Sequence, residues 1–221
     1  MNQTLHGSPK GPNVPAMEPE EKPITTLLFD YGGVLAEEGF REGLAEIARR
    51  HGLDPDWMLR QGMDAVYDSG YVTGRGTEAD FWRLLEARTG ITGDEARLRE
   101  EILQRFRLRP EMLALVDELR SRGFRVAILS DQTDWLDRLE ARDRFFHHFD
   151  RVFNSHHLGM GKRDPRTFRV VACRMGVEPG EVLFIDDSPG NVERARRAGM
   201  KALRFENTEA FREALDRFLP Q

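Results

Sequence analysis

Cysteine is all but missing from this chain. Cys173 is the only one, so an internal disulfide is impossible and nothing favours an oxidising compartment. The cytoplasm is the expected location. Within Phe168-Arg169-Val170-Val171-Ala172-Cys173, the thiol reads as a small core residue rather than a reactive group. Long apolar runs are missing too. No stretch approaches the roughly 18 residues that a bilayer-spanning helix needs, so no membrane association is expected. The first 23 residues hold no apolar core of a leader but five prolines (Pro9, Pro12, Pro15, Pro19, Pro23), so residues 1–22 read as a disordered, proline-rich tail. A basic surplus is also lacking. A formal net charge of −5 argues against a nucleic-acid partner, which would require a basic face. Lysine is scarce, occurring only at positions 10, 22, 162 and 201, while arginine supplies the other basic residues. Each lysine therefore stands out.

What is present is a globular composition: 221 residues, 39% hydrophobic and 32% charged, enough for one large domain or a core with an insert. Ile24-Thr25-Thr26-Leu27-Leu28-Phe29 is a nearly continuous apolar run that ends at Asp30 and is followed by Gly32-Gly33. Such a run fits a strand buried on both faces, as in a parallel sheet. Residues 125–129 behave alike and end at Ser130-Asp131; residues 182–185 end at Asp186-Asp187. Val152-Phe153 and residues 202–205 are weaker strand candidates. Between them lie helical patterns: one opened by Pro110 and closed by Gly123, one opened by Asp164-Pro165 and closed by Gly176, one opened by Ser188-Pro189 and closed by Gly199, and one starting at Thr208. Strands alternating with helices predict an α/β fold with a doubly wound, mostly parallel sheet.

Residues 36–108 break that rhythm and show no strand. Phe40, Leu44, Ile47 and Ala48 recur at helical spacing, as do Leu98, Ile102, Leu103 and Phe106. Asp54-Pro55 is a helix start, and Thr77 with Asp80 and Thr92 with Glu95 resemble capping boxes. About four helices are expected there as an insert, leaving 23–35 and 109–221 as the core. No heptad stripe assigns an oligomeric state.

Three apolar runs thus end in residues able to do chemistry. In an open α/β sheet, ligands bind outside the carboxyl ends of the strands, so Asp30, Ser130 and Asp186-Asp187 are expected at one edge. The glycine-rich turns and helix N-termini beside them would offer N–H groups to an anion such as phosphate. Taken singly, each of these residues could equally be a turn former, a helix cap or a surface charge.

Taken together, they carry a resemblance. Phe29-Asp30-Tyr31-Gly32-Gly33-Val34-Leu35, Leu129-Ser130, Gly161-Lys162-Arg163-Asp164-Pro165 and Phe184-Ile185-Asp186-Asp187-Ser188-Pro189-Gly190-Asn191-Val192 resemble, in order, the four motifs of the haloacid dehalogenase-like hydrolase superfamily. The insert lies where many members carry a helical cap, and Tyr71-Val72-Thr73-Gly74-Arg75 with Phe81-Trp82 looks like cap sequence. The resemblance implies a Rossmann-like core and a phosphatase that acts on a small-molecule phosphate ester. It implies Asp30 as the nucleophile that forms an aspartyl-phosphate. It implies Mg²⁺ as the cofactor, held by Asp30, Asp187, nearby Asp186 and the backbone carbonyl of Gly32. Ser130 and Lys162 would complete the catalytic set, Ser130 on a phosphoryl oxygen and Lys162 as a compact cation. Gly33, Asp131 and Asn191 would join them around the substrate, with Asn191 orienting Lys162 or its loop. In the inserted helices, Arg41, Trp57, Arg75 and Trp82 are the candidates to face the cleft, although helical spacing makes most aromatics there core.

The pattern departs from the family at Gly32. Most of its phosphatases carry there a second aspartate that protonates the leaving group and activates water. Positioned acid–base catalysis is worth ~10²–10⁴ in rate, so about 3–5 kcal/mol of barrier lacks a source. Three explanations stand open: a good leaving group, a substitute among Glu37, Glu38, Asp131, His156 and His157, or a protein that binds phosphorylated ligands without turning them over. A second departure, Arg163 after the lysine, leaves the frame through Asp164-Pro165 intact. The metal-independent 2-haloacid dehalogenases also lack the second acid, but Asp186-Asp187 argues against that branch, because adjacent carboxylates would repel an anionic substrate unless a cation joined them.

Overall fold

The structure, a computed structural model, describes residues 22–219. The proline-rich segment expected to be disordered lies outside them, apart from Lys22. Five parallel strands form one sheet: β1 (Thr26–Phe29), β2 (Arg125–Ser130), β3 (Arg151–Asn154), β4 (Val182–Asp186) and β5 (Lys201–Arg204), in the order β3-β2-β1-β4-β5. The runs around 152 and 202 are therefore strands, at the two edges. β1 lies in the middle, paired in register with β2 on one side and β4 on the other. The chain moves outward from β1 in both directions, which opens a crevice at the carboxyl ends of β1 and β4.

Helices cover both faces. Leu27, Phe29, Val126, Ile128, Leu183 and Ile185 enter one apolar cluster. Leu28, Ala127, Leu129, Val182 and Phe184, alternating with them, enter the other. Burial on both sides is why these strands read as unbroken apolar runs. α5 (Pro110–Ser121) and α10 (Thr208–Leu215) add to the first cluster; α8 (Arg166–Met175) and α9 (Pro189–Arg197) add to the second. α6 (Trp135–Asp143) and the single turn α7 (Ser155–Leu158) complete the connections.

Between β1 and α5 come four helices: α1 (Gly39–Arg50), α2 (Pro55–Asp68), α3 (Glu78–Thr89) and α4 (Glu95–Leu103), with a 3₁₀ turn at Tyr71–Thr73. Asp54 accepts from the Trp57 amide, and Thr77 and Asp80 form the reciprocal box expected of them. Their apolar faces merge with the cluster on the sheet. No helix among the described residues is long and apolar enough to cross a membrane.

Three local expectations are corrected. Cys173 is exposed, not core. α8 buries Thr167, Phe168, Val171, Ala172 and Met175, and position 173 falls on its opposite face. The cap of α4 is Asp94, which accepts from the Arg97 amide, because the helix begins two residues after the position that would make Thr92 its cap. Pro165 is itself the first capping position of α8, with Asp164 folded back onto the amide and guanidinium of Arg166.

Candidate active site

The end of β1 delivers Asp30 into a pocket of groups that fix its carboxylate. Oδ1 accepts from the Tyr31 amide at 2.7 Å and from the Ser130 hydroxyl at 2.8 Å; Oδ2 pairs with Lys162 Nζ at 2.7 Å. Asp30 is only 8% exposed and Lys162 1%. Lys162 also reaches Asp186 Oδ2 at 2.6 Å, so one ammonium bridges the ends of β1 and β4. Burial raises the pKa of Asp30 well above the carboxylate range, opposed by Lys162 and reinforced by Asp186 and Asp187. Burial would lower that of Lys162, but the carboxylates of Asp186 and Asp30 outweigh it and the net shift is upward.

A layer of further contacts aims these groups. Asp131, at the end of β2, accepts the Lys162 amide on both oxygens, at 2.8 and 3.0 Å, and the Tyr67 hydroxyl of α2. Asp131 therefore acts on the lysine's backbone. Asn191 donates to both oxygens of Asp186 at 3.1 Å and does not touch Lys162; the role expected for it falls on the acid that holds the lysine. The Ser188 amide, at the start of α9, also binds Asp186. Gly33 has φ +82, and a Cβ there would stand 2.5 Å from Asp187 Oδ2, so only glycine lets the loop and Asp187 meet. Its N–H donates to Ala36 and its carbonyl accepts from Arg109, so both of its polar groups serve the loop rather than a ligand.

Asp30, Asp186 and Asp187 can present one oxygen each within 4.8 Å of one another. Three carboxylates against one bridging ammonium leave the cluster two negative charges in excess. Burying that excess is unfavourable without a cation, and an all-oxygen donor set suits a hard divalent ion such as Mg²⁺. Burial, with Asp186 adding to it, raises the pKa of Asp187, as expected of an acid in surplus negative charge.

Asp30, Gly32, Ser130, Asp131, Lys162, Asp187 and Asn191 line one cavity of about 520 Å³; Asp186 lies beneath it. Arg41, Phe40, Met63 and Tyr67 close it from the helical side. Of the cleft candidates there, only Arg41 reaches it. Trp82 is buried and bonded to Glu78, Arg75 turns to the Gly159 carbonyl, and Trp57 lies elsewhere. Two features escaped the sequence. Arg109 pins the loop after β1 through the carbonyls of Gly33 and Val34 and through Glu37. Arg163 stacks on Tyr67, 3.6 Å from the ring centroid, which gives a reason for arginine after the lysine. Neither pairing leaves a mark in local spacing. Glu38, at the N-terminus of α1, also lines the cavity; burial and the charge of Asp187 push its pKa up to about 7.

Strand-end acid, serine, lysine and acid pair on a β3-β2-β1-β4-β5 sheet define a hydrolase class. The model of the haloacid dehalogenase-like hydrolases matches residues 24–199, and the chain belongs to that family. It is 39% identical over 111 residues to a phosphoserine phosphatase of Thermus thermophilus, covering 49% of this chain and 44% of that one. It is 29% identical over 212 residues to a phosphatase of Mycobacterium tuberculosis, covering 89% and 94%. The first curated relatives are matched over less than half of their own length. Among solved structures, a HAD family enzyme of Bacteroides thetaiotaomicron, 22% identical, superposes with a TM-score of 0.71 over 88% of this chain and 99% of that one. That enzyme has also been solved in complex with magnesium and inorganic phosphate.

Proposed function

We propose that this chain is a Mg²⁺-dependent phosphohydrolase that cleaves a small phosphorylated metabolite through an aspartyl-phosphate on Asp30. The observation that carries the reading is the buried Asp30 carboxylate, held by Ser130 and Lys162 beside a three-acid cluster with surplus negative charge. The phosphatase names of the relatives and the magnesium and phosphate bound by the Bacteroides enzyme support it. Residues 23–35 and 109–221 would form the catalytic core, with 36–108 as a cap that closes over it through Arg41 and Tyr67. The cytoplasm remains the proposed location.

In the first step Asp30 attacks phosphorus, the bond to the ester oxygen breaks, and the alcohol leaves with a proton. In the second, water attacks the same phosphorus and frees Asp30. Lys162 holds the Asp30 carboxylate in place and opposes the effect of its burial. Ser130 turns its hydroxyl from Asp30 to a phosphoryl oxygen. Asp30, Asp186 and Asp187, with the Gly32 carbonyl, would hold Mg²⁺, which supplies positive charge against the phosphoryl oxygens. A metal-independent dehalogenase does not account for the acid cluster as directly, and a purely binding role finds its motive in Gly32.

Purified protein with Mg²⁺ should hydrolyse p-nitrophenyl phosphate and members of a phosphorylated-metabolite panel. Asp30→Asn should lower turnover by about 10³-fold or more, since it removes the nucleophile. Turnover no higher than that of Asp30→Asn across the whole panel would overturn the reading.

A further inference from the structure

An alkyl phosphate cannot be cleaved fast by a nucleophile alone. The departing oxygen is strongly basic and needs a proton, and the water of the second step must lose one. This need follows from the phosphohydrolase reading above, on which the inference rests. Gly32 has no side chain to meet it, so the acid must come from elsewhere in the cavity.

Most titratable groups near the site are committed. Lys162 is shared between Asp30 and Asp186. Asp131 is taken by the Lys162 amide and the Tyr67 hydroxyl. Glu37 is paired to Arg109 at 3.0 Å, His156 Nδ1 is set on the Tyr71 carbonyl at 2.8 Å, and His157 is paired to Asp137 on the surface. None of these last three lines the cavity. Glu38 does, together with Asp30 and Asp187.

Its position follows from the loop after β1. The Tyr31 carbonyl accepts the amides of both Leu35 and Ala36, and the Gly33 amide donates to the Ala36 carbonyl, so the chain doubles back on itself. Residue 38 is thereby carried over residue 32. A Cβ on Gly32 would stand 3.6 Å from each oxygen of the Glu38 carboxylate. A carboxylate at the N-cap of α1 thus fills the space that a side chain at position 32 would enter.

We propose that Glu38 is the general acid and base of this site, supplied from the N-cap of α1 instead of from position 32. As the Asp30–phosphorus bond forms and the ester bond breaks, the Glu38 carboxyl gives its proton to the departing oxygen. As water then bonds to phosphorus and the Asp30 bond breaks, the Glu38 carboxylate takes the water's proton, and inorganic phosphate leaves.

The test compares two leaving groups of nearly the same shape, p-nitrophenyl phosphate and p-nitrobenzyl phosphate. Only the second departs as an alkoxide. The value of kcat/KM covers steps through transfer to Asp30, so it isolates leaving-group protonation. In Glu38→Gln, kcat/KM on the p-nitrobenzyl ester should fall by roughly 10²–10⁴ and on the p-nitrophenyl ester by less than about tenfold. Equal losses on both esters, or no loss on either, overturn the proposal, as does a wild type that cleaves only the p-nitrophenyl ester. A wild type inert toward both esters and toward the metabolite panel fells the phosphohydrolase reading itself, and this inference with it. Near-ultraviolet circular dichroism checks the fold. Should the Gln variant be unfolded, Glu38→Asp, which draws the acid back by one methylene, reads the same contrast.

Discussion

Lys162 is a buried cation. It sits between two carboxylates, with its backbone held by a third and Phe184 beneath, 5.7 Å from the ammonium to the ring centroid. Removing one partner of a buried ion pair is costlier than removing the pair, because the remaining charge is left without compensation. Lys162→Met should therefore lower stability by about 3–5 kcal/mol in EDTA, measured by urea denaturation. A loss under ~1 kcal/mol would mean that water screens the cluster. Arginine should not substitute, since its planar fork is larger and cannot bridge two acids as a point charge. At this scale much was legible: Asp30, Ser130, Lys162, Asp186 and Asp187 were marked by strand ends and by the scarcity of lysine, and they do meet. Glu38 stood among five candidates and nothing local separated it from Glu37. The separation depends on which way each side chain turns at the start of α1, toward the cavity or toward Arg109.

Among the elements, α1, which begins just after Glu38, lies against its neighbours closely. A Cβ on Gly43 would stand 2.6 Å from Ile102 Cα of α4, and one on Gly62 of α2 would stand 2.3 Å from Leu44 Cδ1 of α1. Backbone cannot yield as a side-chain tip can, so Gly43→Ala should force α1 and α4 apart at a cost of about 1–3 kcal/mol, despite the better helix propensity of alanine. Thermal and urea denaturation would read this, and a stabilised variant would count against tight α1–α4 packing. The helices themselves were readable from apolar spacing and from starts such as Asp54-Pro55 and Thr77. The cap of α4 and the face of Cys173 were not. Both turn on the rotation and onset of a helix, which an offset of two residues changes by about 200°.

For the whole molecule, the decisive fact is the order of strands around β1. Because the chain winds outward from β1 to β2 and β3 on one side and to β4 and β5 on the other, residues 30, 130 and 186–187 end on one edge. Their surplus negative charge would make the folded state a better cation binder than the unfolded chain. Mg²⁺ with inorganic phosphate should thus raise the melting temperature: at 100 times the dissociation constant the gain is about 2.7 kcal/mol, or roughly 5–10 °C for a chain of this size. EDTA should reverse it, and Asp30→Asn should blunt it. No shift with either ligand would weigh against a metal-assisted phosphate site. The sequence by itself determined the fold class, the strand ends that carry chemistry and the family, because burial on both faces of a parallel sheet and four ordered motifs are written locally along the chain. Only the tertiary structure decided which acid stands over Gly32, which cation pins the loop after β1 and which inserted residues reach the cavity. Those choices rest on contacts between positions far apart in the chain, such as Arg109 and Gly33, 76 residues apart, and no local pattern records them.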